Sequence, residues 1–210
     1  MAEPLLEIKN VHVEFEVRDG IVHAVDGMSY TVNRGETIGV IGESGCGKSI
    51  TAKATMQMLP KPGKVTQGEI IYHRRNKFDP SKPTEVINIT NLDPDGDLIR
   101  QIRGGEFAMI FQEPMSSLTP VYTTGTLINE ALFIHRKMPV TVGEGMAQKI
   151  MQYRPVTKEE AREIAIEMLQ KVGIPKPHER VDVYPHQLSG GQRQRVMIAI
   201  ALSCEPFMLI

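Results

Sequence analysis

The sequence predicts an α/β fold, and three observations carry that expectation. A short β-branched run, Thr37-Ile38-Gly39-Val40-Ile41, enters the glycine-rich turn Gly42-Glu43-Ser44-Gly45-Cys46-Gly47-Lys48-Ser49, and a helical stretch follows at once. Strand, glycine loop and helix in that order are the context in which G-x-x-x-x-G-K-[ST] closes its backbone N–H groups around a polyphosphate. Ahead of it Leu6, Ile8, Val11, Val13 and Phe15 largely alternate, as one face of a half-buried strand does. Far downstream, Leu188-Ser189-Gly190-Gly191-Gln192 opens a strongly helical run with two glycines in its first turn. The expected architecture is a P-loop core with an antiparallel β subdomain and an inserted helical subdomain.

In chain order, the first strand meets a turn at Asp19-Gly20 and a second β-like run from Ile21 through Val25, which predicts an antiparallel opening sheet. Met28 through Val32 and Arg34-Gly35-Glu36 lead into the strand at 37–41 that delivers the phosphate loop. Lys48 through Leu59 has helical composition and stops before Pro60-Lys61-Pro62-Gly63, a cluster that cannot continue a helix. From Gly68 a strand, Glu69-Ile70-Ile71-Tyr72, runs into a polar stretch from His73 to about Asp97, read as a surface insertion. Its cations His73, Arg74, Arg75 and Lys77 either touch a partner or belong to a solvated loop.

Glu106 through Phe111 forms another short buried-type strand ending at Gln112, after which the texture turns helical. The segment Met138–Tyr153, with Gly143 and Gly145, reads as a loop or a short helix. The clearest helix starts at Thr157, where Glu160 completes a capping box, and aligns Ala161, Ile164, Ala165, Met168, Leu169 and Val172 on one face. Gly173 and Pro175 end it. The expected divisions are residues 1–112 for the β subdomain and phosphate-loop core, 113–204 for the helical subdomain, and 205–210 for the start of a further strand.

Bulk properties narrow the function. At 210 residues with 24 Lys+Arg against 25 Asp+Glu, the chain has room for a sizeable core and no strong field for gripping nucleic acid or anionic lipid. No nucleic-acid partner is expected. The two cysteines, Cys46 and Cys204, predict a reducing, cytosolic compartment, because a disulfide at Cys46 would block the phosphate loop. No apolar stretch approaches the roughly 18 residues that span a bilayer, so any membrane-spanning work falls to another chain.

Each motif has its own chemistry. Lys48 is suited to balance the charge of terminal phosphates, Ser49 to hold magnesium, and the amides from Gly45 to Lys48 at a helix N-terminus to form an anion nest. Ser189 reads as an N-cap with Gln192 at capping-box spacing. Capping alone does not explain Gly190 and Gly191, since each glycine in a helix costs roughly 1 kcal/mol relative to alanine. Close approach of a ligand to the backbone explains them better.

A P-loop together with LSGGQ resembles the ATP-binding cassette (ABC) family. The run Phe111-Gln112-Glu113-Pro114-Met115-Ser116-Ser117-Leu118-Thr119-Pro120, with Tyr184-Pro185-His186-Gln187 before LSGGQ and Arg193-Gln194-Arg195 after it, is similar to the ATPase subunits of bacterial dipeptide, oligopeptide and nickel importers. That resemblance covers nearly the whole chain. It implies ATP and Mg2+ as ligands, and a sandwich with a second ATPase subunit, identical or not, whose P-loop presents ATP to Leu188–Gln192. It implies transmembrane permease partners, an extracellular solute-binding protein reached through them, and a peripheral place on the cytoplasmic face of the inner membrane. By the same resemblance Gln112 would reach magnesium and the attacking water, and Phe15 would stack on adenine; by composition alone Phe15 could equally be core. The alternatives are a soluble ABC protein acting on ribosomes or DNA, and a nucleotide-binding remnant that does not hydrolyse.

In the resembling family an apolar run such as Phe207-Met208-Leu209-Ile210 leads into a metal-binding aspartate and a catalytic glutamate, and neither is present. The expectation is a fold incomplete at its C-terminus, poor in nucleotide binding and hydrolysis and prone to aggregate. Glu113 and Glu205, each beside a proline, are not expected to substitute.

Overall fold

Alternation in the first thirty residues becomes a ladder in the computed structural model, which describes residues 3–77, 79, 81–112, 118–142 and 150–210. Strand β1 (Pro4–Val17) pairs antiparallel with β2 (Gly20–Asn33), from Pro4↔Asn33 down to Val17↔Gly20. On its other edge β1 pairs with β3 (Lys64–Arg74), with Leu6 opposite Tyr72 and Ile8 opposite Ile70. All four of those side chains are buried, and covering each apolar one contributes about 1.5–3 kcal/mol. The sheet order is β2-β1-β3-β4, where β4 is Glu85–Asn88.

That fourth strand corrects the reading of 73–97 as a surface insertion. Val86-Ile87 and the buried Ile89 are too few to show a period, but β3 offers them an edge, and Ile71↔Asn88 to Arg74↔Glu85 pair. Strand formation by short apolar runs depends on such a partner. The cations are claimed internally: His73 meets Glu7 at 2.7 Å, Arg74 meets Glu85 at 3.5 Å, and Arg75 pairs with Glu3. Glu7 is held below the usual carboxylate range by its hydrogen bonds from Lys9 and His73.

Two further expectations change in this part of the chain. Thr37–Ile41 is not a strand: none of the described strands pairs with it, and Ile41 is 96% exposed. Its β-branched composition is therefore unrealised, because a strand exists by its ladder. Helix α1 (Lys48–Thr55) stops short of Leu59. Gln57 turns left-handed with φ 51°, its N–H donating to Ala54 O at 2.9 Å while Met58 N donates to Lys53 O at 2.8 Å; this paired closure ends a helix from within.

The chain divides into two compact units, Met1–Arg100 and Gln101–Ile210, with α2 (Asp97–Gly105) running across the boundary in sequence. In the second unit, α3 (Thr124–His135), α4 (Lys158–Lys171), the short α5 (Pro177–Arg180) and α6 (Gly190–Ser203) surround one apolar core. Ile128 and Leu132 from α3, Ala161, Ala165 and Leu169 from α4, and Val196 and Ala199 from α6 are fully covered. The capping box at Thr157 forms as expected, with Glu160 N donating to Thr157 Oγ1 and Thr157 N to Glu160 Oε2.

Between α3 and α4 the described residues form two strands where a loop or a short helix is expected. Strands β6 (Lys137–Val142) and β7 (Ile150–Pro155) pair antiparallel, from Lys137↔Pro155 to Val142↔Ile150, and Gly143 and Gly145 lie outside the described residues. The strand expected over Glu106–Phe111 shrinks to β5 (Phe107–Ala108), which pairs parallel with β8 (Met208–Leu209). Ile110 N donates to Ile210 O at 2.8 Å and Ile210 N to Ala108 O at 2.9 Å, extending the contact without regular strand geometry.

Candidate functional site

The phosphate loop of residues 42–49 is built by glycine conformation and by contact with β2. Gly45 and Gly47 take φ values of 87° and 92°, a region that costs other residues about 1–2 kcal/mol. Gly47 is also the N-cap of α1 and is buried, and a Cβ there would lie 2.4 Å from Ala24 O and 3.0 Å from Val25 Cγ2. The carbonyl is available because β2 gains a residue at this point: Val13 faces Val25, but Glu14 faces His23. Thr51 closes the first helical turn, its N and Oγ1 both donating to Gly47 O.

Over this loop Lys48 folds back. Its ammonium donates to Gly42 O at 2.7 Å and Glu43 O at 2.6 Å and lies 3.4 Å from Cys46 Sγ. A Cβ on Gly42 would lie 2.5 Å from that sulfur. Neutral carbonyls are modest acceptors, and phosphate oxygens form stronger, charge-assisted bonds with the same donor. Ser44, Gly45 and Ser49 are exposed, so the loop and the start of α1 face outward with the positive end of the helix dipole.

Phe15 sits on the same pair of strands, opposite Val22 and half-buried. Val13, two residues earlier, pairs with the Val25 whose side chain abuts Gly47; along a strand that separation is roughly 7 Å. One unit thus places the aromatic ring and the phosphate loop on one two-stranded support.

In the second unit, the turn at 188–192 divides into an anchor and an exposed edge. Leu188 is buried in the helical core. Ser189 caps α6: its Oγ accepts from Gln192 N at 3.3 Å, and Gln192 Oε1 accepts from Ser189 N at 3.1 Å. The hydroxyl of Ser189 therefore keeps its own proton to donate outward. Gly190 and Gly191 are exposed, neither needs a left-handed φ, and a Cβ on either would meet nothing within 4 Å. Nothing among the described residues requires glycine there.

Gln112 is exposed four residues after β5, and Glu113–Ser117 lie outside the described residues. Glu205, in the connection before β8, has its carboxylate 2.8 Å from Arg136 Nη2, while Arg136 Nη1 donates to Ser203 O. It serves to fasten the end of α3 to the end of α6. Among the described residues no group of three or more His, Cys, Asp or Glu could hold a metal. The exposed Ser49 hydroxyl is an oxygen donor of the kind that a hard cation such as magnesium takes. No helix of the described residues is long and apolar enough to cross a membrane. Two contacts escaped the sequence reading: Ala24 against Gly47, and Gly63 against Phe15. Glycine at 63 was legible only as part of a helix stop.

The ABC transporter family model matches residues 25–210. The chain is 41% identical over 209 residues to the dipeptide transport ATP-binding protein DppD of Bacillus subtilis, covering 99% of this chain and 53% of that protein. It is 38% identical over 207 residues to the oligopeptide transport ATP-binding protein OppD of the same organism, covering 98% of this chain and 49% of that one. The chain spans about half the length of the curated relatives it matches. Among solved structures, the dimeric bacterial ABC transporter cassette MJ0796 superposes with a TM-score of 0.73 at 25% identity, over 98% of this chain and 72% of that one. A post-hydrolysis form of that cassette bound to ADP and Pi gives 0.71 at 26% identity, with the same coverage of both chains.

Proposed function

The chain belongs to the ABC transporter family, and on that premise we propose that it is the ATP-binding part of a peptide importer. In the whole protein, ATP binding closes a pair of such subunits and hydrolysis reopens them, driving uptake through transmembrane partners from the cytoplasmic face of the membrane. The peptide assignment rests on the names of the dipeptide and oligopeptide relatives. The observation that carries the closing step is the exposed Gly190-Gly191 pair, for which neither backbone conformation nor packing gives an internal reason.

The residues divide the work as follows. Gly42 through Ser49 (Gly42, Glu43, Ser44, Gly45, Cys46, Gly47, Lys48, Ser49) wrap the triphosphate, with main-chain amides at the start of α1 as donors and the Lys48 ammonium moving from the carbonyls of Gly42 and Glu43 to phosphate oxygens. Ser49, exposed at the first turn of α1, fits a magnesium ion with its hydroxyl; the role of Gln112 toward the metal and the attacking water rests on the family resemblance alone. The metal, when bound, neutralises phosphate charge and orients the terminal phosphoryl group. Phe15 holds the adenine face. Leu188 anchors the signature turn while Ser189, Gly190, Gly191 and Gln192 close on the ATP held by the other subunit. Residues 1–112 thus supply the loop and its support, and 113–204 supply the turn that acts on the partner.

The test is sedimentation of the purified whole protein, rather than of residues 1–210 alone, with and without MgATP under conditions that prevent turnover. Wild type is expected to bind ATP and to shift from monomer toward dimer. Failure to bind, or binding with no change in mass, overturns the proposal.

A further inference from the structure

We propose that Gly63 is a positioning residue for the nucleotide base, acting through Phe15; the inference rests on the reading of Phe15 as the ring that stacks on adenine. Gly63 has an ordinary backbone, with no left-handed φ, so its turn would accept other residues. What excludes a side chain is the aromatic ring: a Cβ at Gly63 would lie 2.5 Å from Phe15 Cε1 and 2.7 Å from Phe15 Cζ. The third neighbour, Pro60 O at 3.0 Å, is only tight. Phe15 therefore rests its edge against residue 63, and a side chain there would have to displace the ring from its present place.

Strand pairing explains why the two meet. Glu14 is opposite Lys64, so Gly63 enters β3 beside the position that carries Phe15. The turn is fastened by Gly63 N donating to Pro60 O at 2.8 Å. It also follows α1 in sequence, the helix whose first residue is Lys48. The segment that leaves the phosphate loop thus returns, one helix later, to set the ring that would cover the base. Both ends of a bound nucleotide are tied to one stretch of backbone, from Gly42 to Gly63.

Equilibrium binding of MgATP and of magnesium tripolyphosphate to wild type, Gly63→Ala, Phe15→Ala and the double variant tests this. Tripolyphosphate engages only the phosphate loop and reports that the loop is folded. Phe15→Ala is expected to weaken ATP about ten-fold, the scale of one base–aromatic stack, and to leave tripolyphosphate within about two-fold. Gly63→Ala is expected to reproduce most of that loss for ATP alone and to add nothing in the Phe15→Ala background. Equal losses for both ligands, additive losses in the double variant, or unchanged ATP binding by Gly63→Ala would each overturn the inference. An unchanged ATP affinity in Phe15→Ala would overturn the reading of Phe15 itself, and Gly63 with it.

Discussion

The carbonyl of Ala24 presses on the α-carbon of Gly47, so that a methyl group there would lie only 2.4 Å away. The phosphate loop is therefore shaped from outside as well as by its own glycines. Gly47→Ala is expected to lower stability by at least about 2 kcal/mol, from the left-handed φ and from overpacking, and to abolish ATP binding. Urea denaturation and equilibrium binding check the two effects separately.

Lys48 is expected to behave in the opposite way. Among the described residues its ammonium bonds within its own loop, at Gly42, Glu43 and Cys46, so Lys48→Ala should leave stability within about 0.5 kcal/mol of wild type. Loss of charge-assisted bonds to phosphate should weaken ATP binding by about 10- to 100-fold. A large change in melting temperature with intact ATP affinity would contradict both statements.

Gly190→Ala separates folding from function most cleanly. The added methyl meets nothing within 4 Å, and alanine favours the helix by roughly 1 kcal/mol, so the variant should melt later than wild type. Its ATP-dependent dimer should be lost, because the methyl occupies the space a partner's phosphate needs. Ser189→Ala should lose the same dimer while costing about 1 kcal/mol of stability through the missing cap. Thermal melts paired with sedimentation read both.

How much of this was legible depended on whether a residue's partner is local. Thr157 with Glu160 and Ser189 with Gln192 are three residues apart, and both capping boxes formed as the sequence predicts. The apolar stripe of α4 was readable because its period is set by one helix. By contrast, Val86-Ile87 became a strand only because β3 lies alongside, and Thr37–Ile41 did not although its composition is stronger. The same holds at the candidate site. The glycine loop and the LSGGQ turn announce themselves, whereas the supports at Ala24 and Gly63 arise from strand pairing that no local pattern records.

Glu160 gives the fold a pH dependence whose sign is fixed. Its carboxylate is pushed down to about 2 from an ordinary 4.5, chiefly by the hydrogen bonds from Arg154 and then by the backbone of Thr157. A depressed carboxylate stabilises the folded state fully above its unfolded value, and that contribution fades as pH falls toward the folded one. Glu160→Gln should therefore be less stable than wild type at neutral pH, with the gap narrowing between about pH 4.5 and about pH 2. Denaturant titrations at several pH values would show it, and a gap independent of pH would refute it.

The parallel contact of Phe107 with Met208 and Ala108 with Leu209 brackets the helices of the second unit. Closing a loop of roughly a hundred residues costs on the order of 4 kcal/mol of chain entropy, which two short strands cannot meet before the helices have packed. Folding of this unit should thus run inward-out, with the helical core forming first and β5 and β8 meeting last. The amides of Ile110 and Ile210, bonded to Ile210 O and Ala108 O, should be the latest to gain protection in pulsed hydrogen exchange.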